Sequence, residues 1–194
     1  MKIELALLII IFINIALGTN QYIYITPQNG NSCNDGTTIG GGFVVPVNQC
    51  IKINKYSALF EQNENNVFVS WFNDCSDHNS FQINNYTIDS CTNFILPHTT
   101  STYLSTISNT GVIPPQSIVF QYYNQTEKVC SNELYKQYYT VDYTEKTFEY
   151  HIDYLCSQNQ PFTYLCTRRG NCYSTSYQGC NFDKNHPYSY TVTC

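Results

Sequence analysis

The chain has 194 residues and a formal net charge of -5, with nine Lys and Arg residues against fourteen Asp and Glu residues. This balance leaves no basic stripe, which argues against a nucleic-acid partner and disfavours binding to an anionic membrane surface. Tyr (18) and Phe (11) supply much of the apolar area. Aromatic and β-branched residues favour pleated surfaces, so the composition predicts a mostly β protein.

The N-terminus, MKIELALLIIIFINIALGTN, has the pattern of a secretory signal. An apolar run broken only by Asn14 precedes Ala16-Leu17-Gly18, which matches a small-residue cleavage site. We therefore expect a signal peptide over residues 1–18, a mature chain that starts near Thr19, and secretion to the extracellular space. The alternative is an uncleaved anchor. The C-terminal segment YSYTVTC is polar, so we expect no stable membrane anchor there.

Ten cysteines follow the predicted signal, and their number is even. They are Cys33, Cys50, Cys75, Cys91, Cys130, Cys156, Cys166, Cys172, Cys180 and Cys194. In an exported chain this predicts five disulfides. A metal site or a catalytic cysteine is the alternative, but no CxxC spacing supports a zinc site. About 945 pairings are available to ten cysteines, so the sequence leaves the connectivity open.

Two N-glycosylation sequons begin at Asn85 (NYT) and Asn124 (NQT). A glycan cannot be buried, so each asparagine is predicted to be exposed.

The first part of the mature chain contains two predicted strands. Residues 21–26 (QYIYIT) alternate and end before Pro27. The glycine run 40–42 lacks the Lys of a phosphate-binding loop, so we interpret it as a flexible or tightly turned loop. Residues 43–47 contain Pro46, which favours an edge strand.

Farther along, the alternating pattern predicts hairpins and a final strand, with one short helix. The first hairpin pairs residues 56–61 with 67–73, and the second pairs 138–143 with 148–154 through a connection at 144–147. The helix is predicted at 131–137 and the last strand at 188–193.

The cysteine spacing indicates an internal duplication. Cys50, Cys75 and Cys91 are separated by 24 and 15 residues, and Cys130, Cys156 and Cys172 by 25 and 15. We therefore predict either one disulfide-stapled sandwich or two small related β modules. The modules would cover 19–94 and 117–194, joined by a linker or long loop, 95–116, which is rich in Ser, Thr and Pro and has room for one strand.

The Cys-rich and Asn/Tyr-rich composition of the whole mature chain resembles that of secreted slime-mould proteins. The resemblance concerns composition only, so it implies an extracellular or cell-surface role and assigns no functional residue.

Two polar clusters are candidates for chemical sites. Glu149, His151 and Asp153 share one face of a predicted strand, but residues two apart stand about 7 Å from each other, so a metal ion could take only two of the three. Asp74 to His78 forms a second polar stretch, which we interpret as a turn. No catalytic residue, metal site or cofactor is predicted.

Arg168 and Arg169, the only arginines, lie between Cys166 and Cys172 as a candidate binding loop. The leading hypothesis is a secreted, disulfide-rich, non-enzymatic glycoprotein that binds an extracellular protein or glycan. The alternatives are a secreted hydrolase with an unrecognised carboxylate pair and a protease inhibitor that uses this arginine loop. The ligand and the oligomeric state are not encoded in any motif.

Overall fold

The computed structural model describes residues 21–29, 32–33, 37–97, 102–124, 129–141, 143–182 and 187–194. The predicted signal peptide lies outside these ranges. All the regular structure in the described residues is β, which confirms the mostly β prediction.

The described part of the chain forms sixteen strands, which fall into two sets of eight. The first set is β1 (Tyr22–Pro27), β2 (Gly41–Pro46), β3 (Cys50–Ile53), β4 (Tyr56–Asn63), β5 (Asn66–Phe72), β6 (Gln82–Thr87), β7 (Ser90–Ile95) and β8 (Thr102–Ser108). The second set is β9 (Ile118–Tyr123), β10 (Glu133–Tyr139), β11 (Thr144–Lys146), β12 (Tyr150–Ser157), β13 (Gln160–Thr167), β14 (Cys172–Ser176), β15 (Asn181–Phe182) and β16 (Ser189–Thr193).

These strands build three antiparallel sheets. An eight-stranded sheet has the order β15-β16-β9-β10-β2-β1-β8-β7. Two four-stranded sheets are simple meanders, β3-β4-β5-β6 and β11-β12-β13-β14. The strands expected at 21–26 and 188–193 and the hairpin β4–β5 are confirmed.

The strand order shows that the two sets of eight follow the same plan. In the large sheet the first half contributes β7-β8-β1-β2 and the second half contributes β15-β16-β9-β10 in the same relative order. Each half then adds its own meander. The halves meet where β2 pairs with β10, so the large sheet has an approximate two-fold axis at its centre.

The pairing registers agree with this relation. Ile25 pairs with Phe43 on one side and Ile107 on the other, and Tyr122 pairs in the same way with Tyr135 and Tyr190. Val44 and Lys136, one residue beyond Phe43 and Tyr135, pair with each other. With Ile25 matched to Tyr122, the two-fold axis passes through that pair.

The two halves bury different side chains. The main core lies between the large sheet and the first meander, with Phe60, Val69 and Trp71 inaccessible to solvent. Side chains of this size each contribute about 1.5–3 kcal/mol when fully buried. The second core is smaller, and tyrosines such as Tyr139, Tyr154 and Tyr190 form much of it.

All ten cysteines are paired, as expected from their number. The bridges are Cys33–Cys91, Cys50–Cys75, Cys130–Cys180, Cys156–Cys194 and Cys166–Cys172. None of them joins the two halves. Cys33–Cys91 ties the β1–β2 connection to β7, and Cys130–Cys180 ties the β9–β10 connection to the start of β15.

The spacing match that aligned Cys50, Cys75 and Cys91 with Cys130, Cys156 and Cys172 is wrong in its register. Cys50 pairs with Cys75, whereas Cys130 and Cys156 pair with residues near the C-terminus. The similar spacing is coincidental, because the interval from Cys50 to Cys75 spans β3 to β5, whereas the interval from Cys130 to Cys156 spans β10, β11 and most of β12.

The glycine run and the strand after it occupy the centre of the molecule, where the sequence predicted a loop and an edge strand. β2 is an interior strand between β1 and β10. Pro46 is tolerated because β10 pairs only with residues 41–44 of β2, so the missing N–H lies beyond that ladder. Gly41 and Gly42 face Tyr139 and Tyr138 across the pair, and the absence of side chains lets both rings approach the backbone.

Two predictions in the second half are also wrong. The helix expected at 131–137 is strand β10, because pairing with β2 and β9 on both sides outweighs local helix propensity. The residues expected as a connection, 144–147, mostly form β11, which pairs with β12. Phe148, the first residue of the strand expected at 148–154, lies between β11 and β12 and is 81% exposed.

The predicted linker contains β8, the single strand for which the sequence left room. β8 lies between β1 and β7 in the large sheet, which also contains strands from both predicted modules. The module boundaries at 94 and 117 stay a prediction, and any division must accommodate this shared sheet.

Replacing Gly42 with alanine tests the close approach of β10 to β2. A Cβ at Gly42 would overlap the Tyr138 ring and lie 2.7 Å from the Ile25 carbonyl oxygen. We expect Gly42→Ala to lower the free energy of unfolding by about 1–3 kcal/mol, measured by urea denaturation.

The matched control is Gly41→Ala, whose Cβ would lie 3.1 Å from the edge of the Tyr139 ring. This contact is longer than any that a Cβ at Gly42 would make with Tyr138, so the cost should be smaller. Equal stabilities of Gly42→Ala and the wild type would contradict the described packing.

Candidate functional site

A pair of adjoining cavities lies between the large sheet and the second meander. One has a volume of about 480 Å³ and is bounded by the centre of the large sheet, the β3–β4 turn and strand β11. We call it the β11 cleft. The other has a volume of about 370 Å³ and is lined by tyrosines of the second core. Asn54, Gln137 and Tyr139 contribute to both cavities.

Strands β10 and β11 position the polar groups of the β11 cleft. Alternation along β10 places Tyr135, Gln137 and Tyr139 on the inner face of the large sheet. On β11, Glu145 pairs with Ile152, whose side chain packs into the second core. Gln137 and Glu145 therefore line the cleft from facing sheets.

Stacked tyrosines form one wall. The rings of Tyr139 and Tyr154 lie 3.6 Å apart at an interplanar angle of 7°, and Tyr143 stacks on Tyr139 at 6.1 Å. The Tyr154 hydroxyl donates to the Glu145 carboxylate over 2.7 Å. Gln137 Nε2 donates to the Tyr139 hydroxyl over 2.6 Å.

Burial is the main cause of raised pKa values for the Tyr139 and Tyr154 phenols, and the negative charge of Glu145 raises both further. Both hydroxyls are therefore neutral at physiological pH. The wall offers flat aromatic faces and hydroxyls that donate and accept hydrogen bonds, without an ionised nucleophile.

The equivalent place in the first half is closed by two tyrosines of the second half. The Lys52 backbone N–H donates to the Tyr188 hydroxyl over 3.1 Å, and the Tyr135 hydroxyl donates to the Lys52 carbonyl oxygen over 3.1 Å. Tyr135 is 1% exposed and stacks on Tyr122. We call this contact the tyrosine seal of β3.

The registers identify what stands at the corresponding positions of the β11 cleft. Ala58 on β4 and Ile152 on β12 each lie five residues before the end of their strand, so they are equivalent. Their ladder partners, Ile51 on β3 and Glu145 on β11, are then equivalent too. The next residue on each edge strand is a lysine, so Lys146 is the equivalent of Lys52.

The two sealing tyrosines are also matched by register. Once Ile25 is matched with Tyr122, their ladder partners Phe43 and Tyr135 occupy equivalent positions. Ser105, two residues before Ile107, is the equivalent of Tyr188, two residues before Tyr190. Compared with Tyr135, Phe43 in the lining of the β11 cleft lacks a hydroxyl. Compared with Tyr188, Ser105 lacks a phenol ring.

The predicted row of Glu149, His151 and Asp153 is divided, because Glu149 and His151 line a cavity of about 450 Å³ with Arg168, whereas Asp153 does not. Glu149 precedes β12 in the turn, and the Asp153 carboxylate accepts a hydrogen bond from the Thr144 hydroxyl over 2.7 Å. Within the described ranges, no group of three or more His, Cys, Asp or Glu side chains could hold a metal ion.

Asp74 to His78 forms the exposed turn that the sequence indicated. Asp74 accepts hydrogen bonds from the Ser76 backbone N–H and hydroxyl, and the backbone hydrogen bond is the largest cause of its lowered pKa. The Asp77 backbone N–H donates to the Asp74 carbonyl oxygen. The polar groups of this stretch serve to close a turn.

Arg168 and Arg169 are exposed in the short β13–β14 turn. The guanidinium of Arg168 lies 4.6 Å from the centre of the exposed Phe148 ring. Its backbone N–H donates to the Glu149 carbonyl oxygen. The bridge Cys166–Cys172 closes the base of the turn. The structure therefore joins the arginine turn to the β11–β12 turn.

Both sequon asparagines are exposed. Asn85 lies on β6, next to the buried Tyr86, and Asn124 directly follows β9. Their use as glycosylation sites stays a prediction.

The sequence interpretation missed Gln137, Tyr139 and Glu145. The alternation of Tyr135, Gln137 and Tyr139 in YKQYY is a period-two signal that could have identified β10. Glu145 lay in the segment interpreted as a connection, so no local signal pointed to it.

The buried phenols predict a loss of stability in alkaline solution. Burial also raises the pKa of Tyr138 to about 12. An unfolded tyrosine loses its proton near pH 10, whereas these folded tyrosines retain theirs, so the unfolded state is favoured as pH rises above about 10. The buried tyrosines should therefore contribute no pH dependence below that value, and above it the free energy of unfolding should fall by about 1.4 kcal/mol per unit for each retained proton.

Urea unfolding followed by the fluorescence of Trp71, the only tryptophan, would measure this dependence. Tyr139→Phe, which removes one of the buried phenols, should show a shallower fall than the wild type. A stability that stays constant between about pH 8 and pH 11.5 would contradict the burial of these groups.

In the described residues, no helix is long and apolar enough to cross a membrane. Neither a curated protein nor a solved structure matches the chain significantly. One family model, described as counting factor-associated protein A/B/C, matches residues 1–194. This Dictyostelium family agrees with the resemblance to slime-mould proteins. The chain belongs to the counting factor-associated protein A/B/C family.

Proposed function

We propose that this protein is a secreted, non-enzymatic glycoprotein that acts by binding an extracellular partner, a protein or a glycan, in the β11 cleft. The observation that carries the proposal is the cleft itself. It is open, it is built largely on sheet residues, and its wall is formed by aromatic rings and neutral hydroxyls. Concave sites that combine apolar walls with a few placed polar groups are the usual form of a ligand-binding site.

Extracellular location is supported by the disulfides. Five bridges without a free cysteine are typical of proteins that fold in an oxidising compartment. The predicted signal peptide and the exposed sequon asparagines agree with export and glycosylation. The family description, which names association with counting factor, agrees with a role in binding.

The absence of enzymatic activity is proposed from the state of the polar groups. The phenols of the cleft are neutral, and the Glu145 carboxylate already accepts a hydrogen bond from the Tyr154 hydroxyl. The wall is therefore suited to hydrogen bonding with a ligand and not to proton transfer. Asp77 lies in a separate exposed turn. His151 is paired with Lys146 on the β11–β12 ladder and does not line the cleft.

Binding can be tested with labelled protein purified from a eukaryotic secretory host. Saturable binding to the surface, or to proteins in the medium, of the cells that naturally secrete it is expected. Thr147→Trp should weaken this binding by at least about tenfold, because Thr147 lines the cleft and an indole would fill it. Ser174→Trp, on exposed strand β14, is the matched control and should bind as the wild type does.

Activity assays test the alternatives on the same preparation. No hydrolysis above background is expected with a panel of glycosidase, protease and esterase substrates, and no inhibition of trypsin is expected at a large molar excess. Hydrolysis that disappears in His151→Ala or Asp77→Ala would overturn the non-enzymatic proposal. Trypsin inhibition that disappears in Arg168→Ala would replace it with an inhibitor function.

A further inference from the structure

We propose that the ligand of the β11 cleft is a neutral saccharide whose hydroxyls bind the main chain of Lys146, as the hydroxyls of Tyr135 and Tyr188 bind Lys52. This inference rests on the proposed function and specifies its ligand class. It follows from comparing two equivalent positions: strand β3, where the tyrosine seal binds Lys52, and strand β11, where the β11 cleft is open.

The first step is the direction of the main chain at the edge of each meander. In an antiparallel ladder, successive residues alternately point their N–H and C=O groups toward and away from the neighbouring strand. The Lys52 groups point away from β4, since both bind tyrosine hydroxyls. Thr147, one residue after Lys146, donates its N–H to Tyr150 across the β11–β12 turn. The alternation therefore points the Lys146 N–H and C=O away from β12, toward the β11 cleft.

The second step is the kind of group that these two atoms require. An N–H and a C=O from one residue need an acceptor and a donor close together, and a hydroxyl can serve as either. The seal of β3 shows this solution in the same molecule, with one phenol accepting and the other donating. At the cleft the equivalent residues are Phe43, which has no hydroxyl, and Ser105, which has no ring and is completely buried. A ligand with several hydroxyls fits the two main-chain atoms.

The third step separates a saccharide from an extended peptide, which could also pair with a strand edge. β11 has only three residues, so alternation leaves it few outward-pointing groups for a longer ladder. Its Lys146 is the type of residue that discourages strand addition at an edge. Tyr139 and Tyr143, which are partly exposed, line the cleft and offer aromatic surface on which the C–H face of a sugar ring can lie.

The fourth step is charge. Glu145 and Lys146 contribute opposite charges beside each other, and Asn54 and Gln137 contribute neutral amides. No excess of either sign favours an anionic or a cationic ligand, and planar amides hydrogen-bond well with hydroxyls. A volume of about 480 Å³, adjoining a second cavity of about 370 Å³, gives room for a short saccharide.

The test uses purified secreted protein whose own N-glycans have been trimmed, so that they do not compete. A panel of neutral mono- and disaccharides of glucose, mannose, galactose, fucose and N-acetylglucosamine is screened by saturation-transfer NMR. The best binder is then titrated. The wild type should show saturable binding. Lys146→Pro, which deletes the N–H that faces the cleft without removing a bond to β12, should bind at least about tenfold more weakly.

Lys146→Ala is the matched control, because it keeps the main-chain N–H and removes only the side chain. It should bind within about twofold of the wild type. If circular dichroism shows that Lys146→Pro does not fold, Thr147→Trp decides in its place. Its indole should abolish binding, while Ser174→Trp should leave binding intact.

Three results would overturn the inference. The first is that no neutral saccharide shows saturable binding at millimolar concentration. The second is that saccharide binding survives both Lys146→Pro and Thr147→Trp. The third is that an unglycosylated peptide binds in the cleft and is not displaced by saccharides. Failure of the proposed function is distinguishable. A protein that still binds its extracellular partner but ignores all saccharides overturns only the ligand class, whereas loss of both overturns both.

Discussion

The antiparallel pairing of β2 with β10 is the interaction on which the rest of the structure depends. It joins two four-stranded halves into one eight-stranded sheet, with Val44 and Lys136 facing each other at the centre. Gly41 and Gly42 permit it, because any side chain on Gly42 would collide with Tyr138. No disulfide joins the halves, so this pair, together with hydrogen bonds such as those of the tyrosine seal, holds the meanders next to each other. The tyrosine seal and the β11 cleft are both consequences of this arrangement.

The two halves share a plan but fill it differently, and the difference produces the site. The first half packs aliphatic residues, Phe60 and Trp71 into the main core. The second half uses tyrosines, whose hydroxyls need partners when they are buried. Tyr135 and Tyr188 find theirs on β3, in the other half. The equivalent residues Phe43 and Ser105 cannot reach β11 in the same way, so a structure with nearly two-fold topology has one sealed place and one open place.

Sequence patterns predicted the class of fold, the state of the cysteines and those strands that alternate with one buried face, such as residues 67–73, where Val67, Val69 and Trp71 are fully buried. They failed for β2 and β10, which lie inside the large sheet. In β2, glycine with proline is typical of a loop, and in β10 the buried Tyr138 interrupts the alternation of Tyr135, Gln137 and Tyr139. Pairing on both sides therefore decides that the two segments are strands. The cleft could not be predicted, because its polar groups come together through this long-range pairing.

Hydrogen exchange at two backbone amides tests the central claim most directly, namely that one of two equivalent places is sealed and the other is open. In the free protein, the Lys52 N–H, which is bonded to the Tyr188 hydroxyl, should exchange at least about tenfold more slowly than the Lys146 N–H. Tyr188→Phe should remove that difference. Equal protection of the two amides in the wild type, or slower exchange at Lys146 than at Lys52, would contradict the account.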